Sequence, residues 1–185
     1  MSALIILHLQ NDYLEGGSIG IKDSLQLINR INKIKERDQF KLHIYINDLH
    51  PADHISFKKK NGTFPSHCVR DSNGCQLNDC IKINKNDIII NIGTLTMHDS
   101  TSAFYNAKDI HKMSNLDQIL SENGINEIYL SGLTAEDDIF STALDALKLK
   151  YRVTVLKDIV KGYDNETTEK CFNYLSSLGI NIINS

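Results

Sequence analysis

What most constrains the fold of this chain is the alternation of short apolar runs with stretches whose apolar residues recur at helical spacing. Ala3 to Leu9 is apolar except for His8 and reads as a strand buried on both faces. Behind an Asp23-Ser24 start, Leu25, Ile28, Ile31 and Ile34 mark one face of a helix expected over residues 23–37. Leu42 to Asn47 is the next strand and completes a β-α-β unit. Beyond an irregular segment spanning roughly residues 48–87, strands are expected at 87–92, 127–131, 152–156 and 180–183. Helices are expected at about 116–122, 138–149 and 166–178. Strands that alternate with helices form a mostly parallel sheet covered on both faces, because parallel neighbours need a crossover and the crossovers supply the cover.

Length and charge narrow the function. With 185 residues and 41% apolar content the chain is expected to form a single domain over residues 1–185. A net charge of -3 and a pI near 6.1 offer no basic field, so neither nucleic acid nor a membrane is an expected partner. The Ala3 to Leu9 run is too short to span a bilayer and lacks a basic leader, which points to a cytoplasmic protein. The four cysteines are too few for a disulfide scaffold. Cys68, Cys75 and Cys80 beside His67 leave a zinc knuckle as an alternative, although their spacing matches no known finger.

The irregular segment after the second strand carries the densest chemistry. Asp48, His50, His54 and His67 place one carboxylate and three imidazoles within twenty residues, at a strand tip where α/β proteins keep their sites. That donor set suits a divalent metal, zinc first, with iron or manganese as alternatives. The bland alternative is a polar strand exit followed by hydrogen-bonded loop histidines.

Several segments in order along nearly the whole chain resemble the nicotinamidase branch of the isochorismatase-like cysteine hydrolases. They are Leu7-His8-Leu9-Gln10-Asn11-Asp12-Tyr13, His50-Pro51 to Phe57, His67-Cys68-Val69, Asp99-Ser100-Thr101-Ser102-Ala103-Phe104, and Gly132-Leu133 followed by Thr142 to Ala146. The resemblance implies a three-layer α/β/α fold with a six-stranded parallel sheet and a site at the carboxyl ends of its first strands. It also implies an aspartate, lysine and cysteine triad, with a metal gripping the ring nitrogen of a nicotinamide-type ligand. Carried over by position, the metal ligands are Asp48, His50 and His67, with His54 as a fourth ligand or a supporting residue. The triad positions hold His8, Ile92 and Asp138 instead of aspartate, lysine and cysteine. Tyr13 matches the ligand-pocket wall, and Leu133-Thr134 matches a turn that carries a cis peptide bond. Relatives are often oligomers, so a homo-oligomer, or a hetero-oligomer with an active relative, is expected.

A thiol mechanism needs a thiolate of lowered pKa and a neighbouring base, and the matched positions supply neither. The expectation is therefore a non-catalytic member that keeps the metal and a small-ligand pocket. One alternative is a metal-dependent amidohydrolase in which a His8 and Asp138 dyad works with a water activated by the metal. The other is a structural interaction module for which the pocket is irrelevant.

Overall fold

The computed structural model describes residues 1–37 and 39–185. In chain order it contains β1 (Ser2–Leu7), α1 (Leu25–Lys35), β2 (Leu42–Asp48) and β3 (Ile88–Ile92). A small antiparallel pair follows, β4 (Tyr105–Ala107) with β5 (Lys112–Met113). Then come α2 (Leu116–Glu122), β6 (Glu127–Leu133), α3 (Phe140–Lys148), β7 (Arg152–Lys161), α4 (Asn165–Ser177) and β8 (Asn181–Ile183). Six strands form one sheet in the order β3-β2-β1-β6-β7-β8, and every pairing in it is parallel.

β1 is central because it can be buried on both sides. Ala3, Ile5 and Leu7 face a core shared with Ile44, Ile90, Phe104 and the buried sides of α2, α3 and α4. Leu4 and Ile6 face the opposite core with Tyr45 and with Leu27, Ile28, Ile31 and Ile34 of α1. All five β1 residues from Ala3 to Leu7 are fully buried. At about 1.5–3 kcal/mol for each large side chain, burial outweighs a backbone ordering cost of about 1–2 kcal/mol per residue. The chain builds β1, β2 and β3 outward to one side and β6, β7 and β8 to the other, so the direction reverses between β1 and β6. Crevices at the carboxyl ends of strands beside such a reversal are where open α/β sheets bind ligands.

Beyond the unexpected β4 and β5, the structure departs from the sequence expectation most clearly at three places, each for a local reason. β1 stops at Leu7 rather than Leu9, because His8 turns to a positive φ of 51° and leaves the strand. β7 continues five residues past Leu156 to Lys161, through Lys157 and Asp158, whose polarity ends the apolar pattern; the register with β6 shifts across them and pairing resumes at Val160 and Lys161. The third difference is at the start of the helix expected from Asp138, where Ala135–Ile139 forms a π-helical turn before α3 begins at Phe140. Single π turns of this kind are frequent at functional sites. Among the described residues, no helix is long and apolar enough to cross a membrane.

Candidate functional site

The candidate residues converge at the carboxyl ends of the strands, where a bridge between His50 and Val69 also returns the His67 segment of the long β2–β3 connection. Asp48 ends β2, Ile92 ends β3 and His8 follows β1. Leu7 pairs with Gly132 of β6, which brings His8 beside the turn that carries Asp138. Gly132 has a φ of 102°, and a Cβ there would lie 2.1 Å from Leu7 O, so only glycine allows β6 this close to β1. The Leu133-Thr134 peptide bond is cis.

One half of the site is a set of convergent metal donors. Ligand atoms of Asp48, His50 and His67 lie within 4.8 Å of one another, and all three residues are buried. Each histidine is fixed through its far nitrogen. His50 Nδ1 donates to Gly93 O at 2.9 Å, and His67 Nδ1 donates to Pro65 O at 2.9 Å, which leaves both Nε2 atoms toward the cluster. Anchoring the second nitrogen on a carbonyl sets tautomer and ring orientation in metal-binding histidines. One carboxylate and two such imidazoles, with room for a further ligand, fit a divalent metal.

Asp48 is held from several directions. Gln10 accepts from Asp48 N at 2.8 Å and donates to Asp48 O at 2.7 Å. The Tyr13 hydroxyl donates to Asp48 Oδ2 at 2.6 Å, and His50 Nε2 stands 3.3 Å from the same oxygen. Burial opposes the Asp48 charge, but His8, His50 and the Tyr13 hydroxyl outweigh it and hold the carboxyl well below the usual range. Burial lowers the His67 pKa, which favours the neutral imidazole that a metal requires. Gln10 had no assigned role in the sequence beyond its place in Leu9-Gln10-Asn11; its signal is a polar side chain directly after a buried strand.

His54 joins the cluster, but both of its nitrogens are already engaged. Its ring stacks on His50 at 4.0 Å, Nε2 donates to His98 O at 2.9 Å, and Nδ1 accepts from the Ser56 hydroxyl at 2.8 Å. These contacts set it as a brace against His50. Asp99 comes within 4.0 Å of His54 Nε2 and completes a second convergent trio with His50 and His54. That trio is poorly placed for an ion, since His54 Nε2 is committed to His98 O and His50 Nε2 faces Asp48. The zinc-knuckle alternative does not form: no group of metal-competent donors among the described residues includes a cysteine. Cys80 is exposed on the surface while Cys68 is fully buried.

The other half of the site is a buried charge pair. His8 is fully buried, and its Nε2 lies 3.2 Å from Asp138 Oδ1. Neither His8 nitrogen is aligned on a hydrogen-bond acceptor, so the contact is charge to charge. The other Asp138 oxygen accepts from Thr134 N at 3.2 Å and from Thr134 Oγ1 at 2.9 Å. Burial disfavours the imidazolium, but Asp48 and Asp138 outweigh it and push the His8 pKa up to about 9. Ile92 is a fully buried core residue and contributes no charge.

Tyr13 joins the two halves. Its ring stacks on His8 at 4.6 Å and meets His67 edge-on at 6.0 Å. Burial and the neighbouring carboxylates keep its phenol protonated, with a pKa well above the usual value. Between Tyr13, Asp48, His50, His67, Asp138 and Tyr163 remains a cavity of about 30 Å³. That volume holds about one water, whereas small-molecule sites run to about 300 Å³ and more. Cys68 is the thiol that the sequence left out of account as a catalytic neighbour. It follows His67 directly, but burial and the Asp48 and Asp12 carboxylates push its pKa far up, and it does not line the cavity. A separate groove of about 460 Å³ between α1, β7 and α4 shares only Tyr163 with this site.

Thr142 and Asp145 of α3 serve the scaffold. Thr142 Oγ1 accepts from Ala103 N at 2.9 Å, and Asp145 takes Lys108 at 2.6 Å and Lys148 at 3.0 Å. Together they pin the loop carrying Asp99 to Phe104 against α3.

Residues 2–185 match the isochorismatase domain family. The chain is 28% identical over 190 residues to the nicotinamidase of Escherichia coli (strain K12), covering 94% of this chain and 89% of that protein. It is 25% identical over 166 residues to an Arabidopsis thaliana protein described as a probable inactive nicotinamidase, covering 85% of this chain and 79% of that one. Among solved structures it is similar to the pyrazinamidase of Pyrococcus horikoshii in complex with zinc. That likeness has a TM-score of 0.91 and 30% identity, and covers 100% of this chain and 99% of the other. With its whole length matched and the same fold found in a nicotinamidase-type relative, this chain belongs to the isochorismatase domain family, among its nicotinamidase-like members.

Proposed function

We propose that this chain is a non-catalytic, metal-binding member of its family. The observation that carries this is the His8 and Asp138 pair, which stands at 3.2 Å where the resemblance calls for an aspartate base and a cysteine nucleophile. A carboxylate attacking an amide would form an anhydride and expel a poor leaving group, so Asp138 does not substitute for a thiolate. In the metal-free chain Asp48 and Asp138 push the His8 pKa up to about 9, which favours the protonated ring and leaves no free lone pair to act as a base. The water-sized cavity gives a nicotinamide-type ligand no room unless lining side chains move.

The metal half, by contrast, is intact. Asp48, His50 and His67 would hold the ion, and zinc is the first choice because two imidazoles and a carboxylate with one open position suit it. The zinc in the Pyrococcus pyrazinamidase supports that choice. When bound, a divalent ion would supply fixed positive charge and a docking point for a small electron-rich ligand. The Arabidopsis relative described as probably inactive supports the loss of turnover as an outcome open to this family. A role as the silent subunit of an oligomer, with itself or with an active relative, follows from such a design.

A second reading keeps hydrolysis, and the water-sized cavity bordered by Asp48, His50, His67 and Asp138 is what favours it. There Asp138 would take a proton from a water, with the protonated His8 as its charge partner. One assay separates the two: purified, metal-analysed protein is incubated with nicotinamide and ammonia is measured, beside His8→Ala and Asp48→Ala. The expected result is about one bound metal per chain and no ammonia above the buffer rate. Turnover that both substitutions abolish would overturn the non-catalytic reading and establish the second.

A further inference from the structure

We propose that Tyr13 is a positioning residue of the metal centre, whose hydroxyl sets the orientation in which the Asp48 carboxylate is presented to the ion. The inference rests on the metal-binding reading above. Tyr13 makes two contacts, of which only one goes beyond packing. Its ring covers His8 at 4.6 Å, a task a phenylalanine ring would perform equally well. Its hydroxyl is spent on a single partner, Asp48 Oδ2, at 2.6 Å across thirty-five residues of sequence. A phenol buried to 5% exposure costs free energy unless its hydroxyl is satisfied, and the Asp48 carboxylate is the acceptor that satisfies it.

The geometry of the loop makes this hydrogen bond a fixture. Tyr13 N donates to Gln10 O at 3.0 Å, and Ile21 N donates to Tyr13 O at 3.0 Å, so the residue is held on both sides along its backbone. Gln10, three residues earlier, clamps the backbone of Asp48. One loop after β1 thus fixes the Asp48 main chain through Gln10 and its carboxylate through Tyr13. With Oδ2 engaged by a phenol, rotation of the carboxylate about its terminal torsion is restrained beside His50 and His67, whose ligand atoms lie within 4.8 Å. Without the hydroxyl, Oδ2 loses the donor that competes with His50 Nε2, 3.3 Å away, and the carboxylate is free to tighten on that histidine instead of the ion. Hydrogen bonds of this type to a ligating group typically change metal affinity by about 10–100-fold.

The test compares wild type, Tyr13→Phe and Tyr13→Leu. Zinc affinity is read by competition with a chromophoric chelator, and the visible d–d spectrum is read after loading with cobalt(II). Tyr13→Phe is expected to bind zinc about 10–100-fold more weakly and to shift the cobalt bands. Tyr13→Leu, which also loses the ring, is expected to match it in affinity. The cobalt spectrum reports carboxylate geometry, which a purely packing role for Tyr13 would leave unchanged. Full affinity and an unaltered spectrum in Tyr13→Phe, with loss only in Tyr13→Leu, would mean that the ring matters and the hydroxyl does not, and the proposal would fail. Absence of zinc binding in the wild type would overturn the metal-binding reading itself and this inference with it. The two failures are told apart by the wild-type titration alone.

Discussion

Asp138→Ala is expected to destabilise the protein by about 3–5 kcal/mol, because it leaves a fully buried imidazolium without its 3.2 Å partner. For a chain of this length that corresponds to a fall in Tm of about 6–20 °C, measured by calorimetry on metal-free protein at pH 6. The pH dependence gives a sharper check. His8 is raised in the folded state to about 9 from an ordinary value of 6.5, so the folded protein binds the proton more tightly than the unfolded chain. The stability from this group is therefore fully present below about pH 6.5 and is lost as pH rises through about 9. The loss across that window is about 3 kcal/mol. In His8→Gln the stability curve is expected to be flatter between pH 6.5 and 9 than in wild type. In Asp138→Ala the slope is expected to shrink without vanishing, because Asp48 also sustains the His8 charge. A wild-type curve that is flat or rising over this range would show that His8 is neutral, which would restore it as a candidate base.

Gly93→Ala is expected to abolish stoichiometric metal binding although Gly93 is not itself a ligand. A Cβ at this position would lie 2.5 Å from His50 Cε1 and 2.7 Å from His50 Nδ1, and the residue has a φ of +62°. The substitution therefore strains the backbone and pushes His50 off the carbonyl that orients it. Displacing one of three protein ligands is expected to weaken zinc by about 100-fold or more, at or beyond the upper end for outer contacts. In wild type, zinc held at a hundred times its Kd adds about 2.7 kcal/mol of stability. A chelator should thus lower the wild-type Tm by about 5–10 °C and leave Gly93→Ala nearly unchanged. An equal chelator response in the two proteins would place the ion away from His50.

Much of the framework was legible because it depends on local periodicity. Strands buried on both faces, such as β1, appear as unbroken apolar runs, and α1 shows one apolar stripe, so the parallel order followed from alternation alone. Asp48, His50 and His67 were legible as candidate donors because ligand chemistry is a property of residue type and because two of them share one short segment. The length of β7 was not legible, since its pairing with β6 shifts register across the polar Lys157 and Asp158 and resumes at Val160, which depends on the neighbouring strand's backbone. The short β4 and β5 strands were missed because two or three residues carry no period to read.

The chain by itself thus determined the layer order of the sheet, the donor set at the tip of β2, and the absence of a thiol at the turn after β6. Tertiary structure alone decided how those groups act on one another. Only folding brings His8 and Asp138, 130 positions apart, to 3.2 Å, and only the two carboxylates it sets beside that histidine favour the cation against the cost of burial. Folding likewise assigns His54 to bracing His50 and Tyr13 to Asp48, and it closes the space between them to about 30 Å³. The physical reason is that residue type fixes which charges and donors a side chain can offer. Their protonation, direction and accessible volume are set by distances and dielectric, which exist only once the sheet has brought its strand ends together.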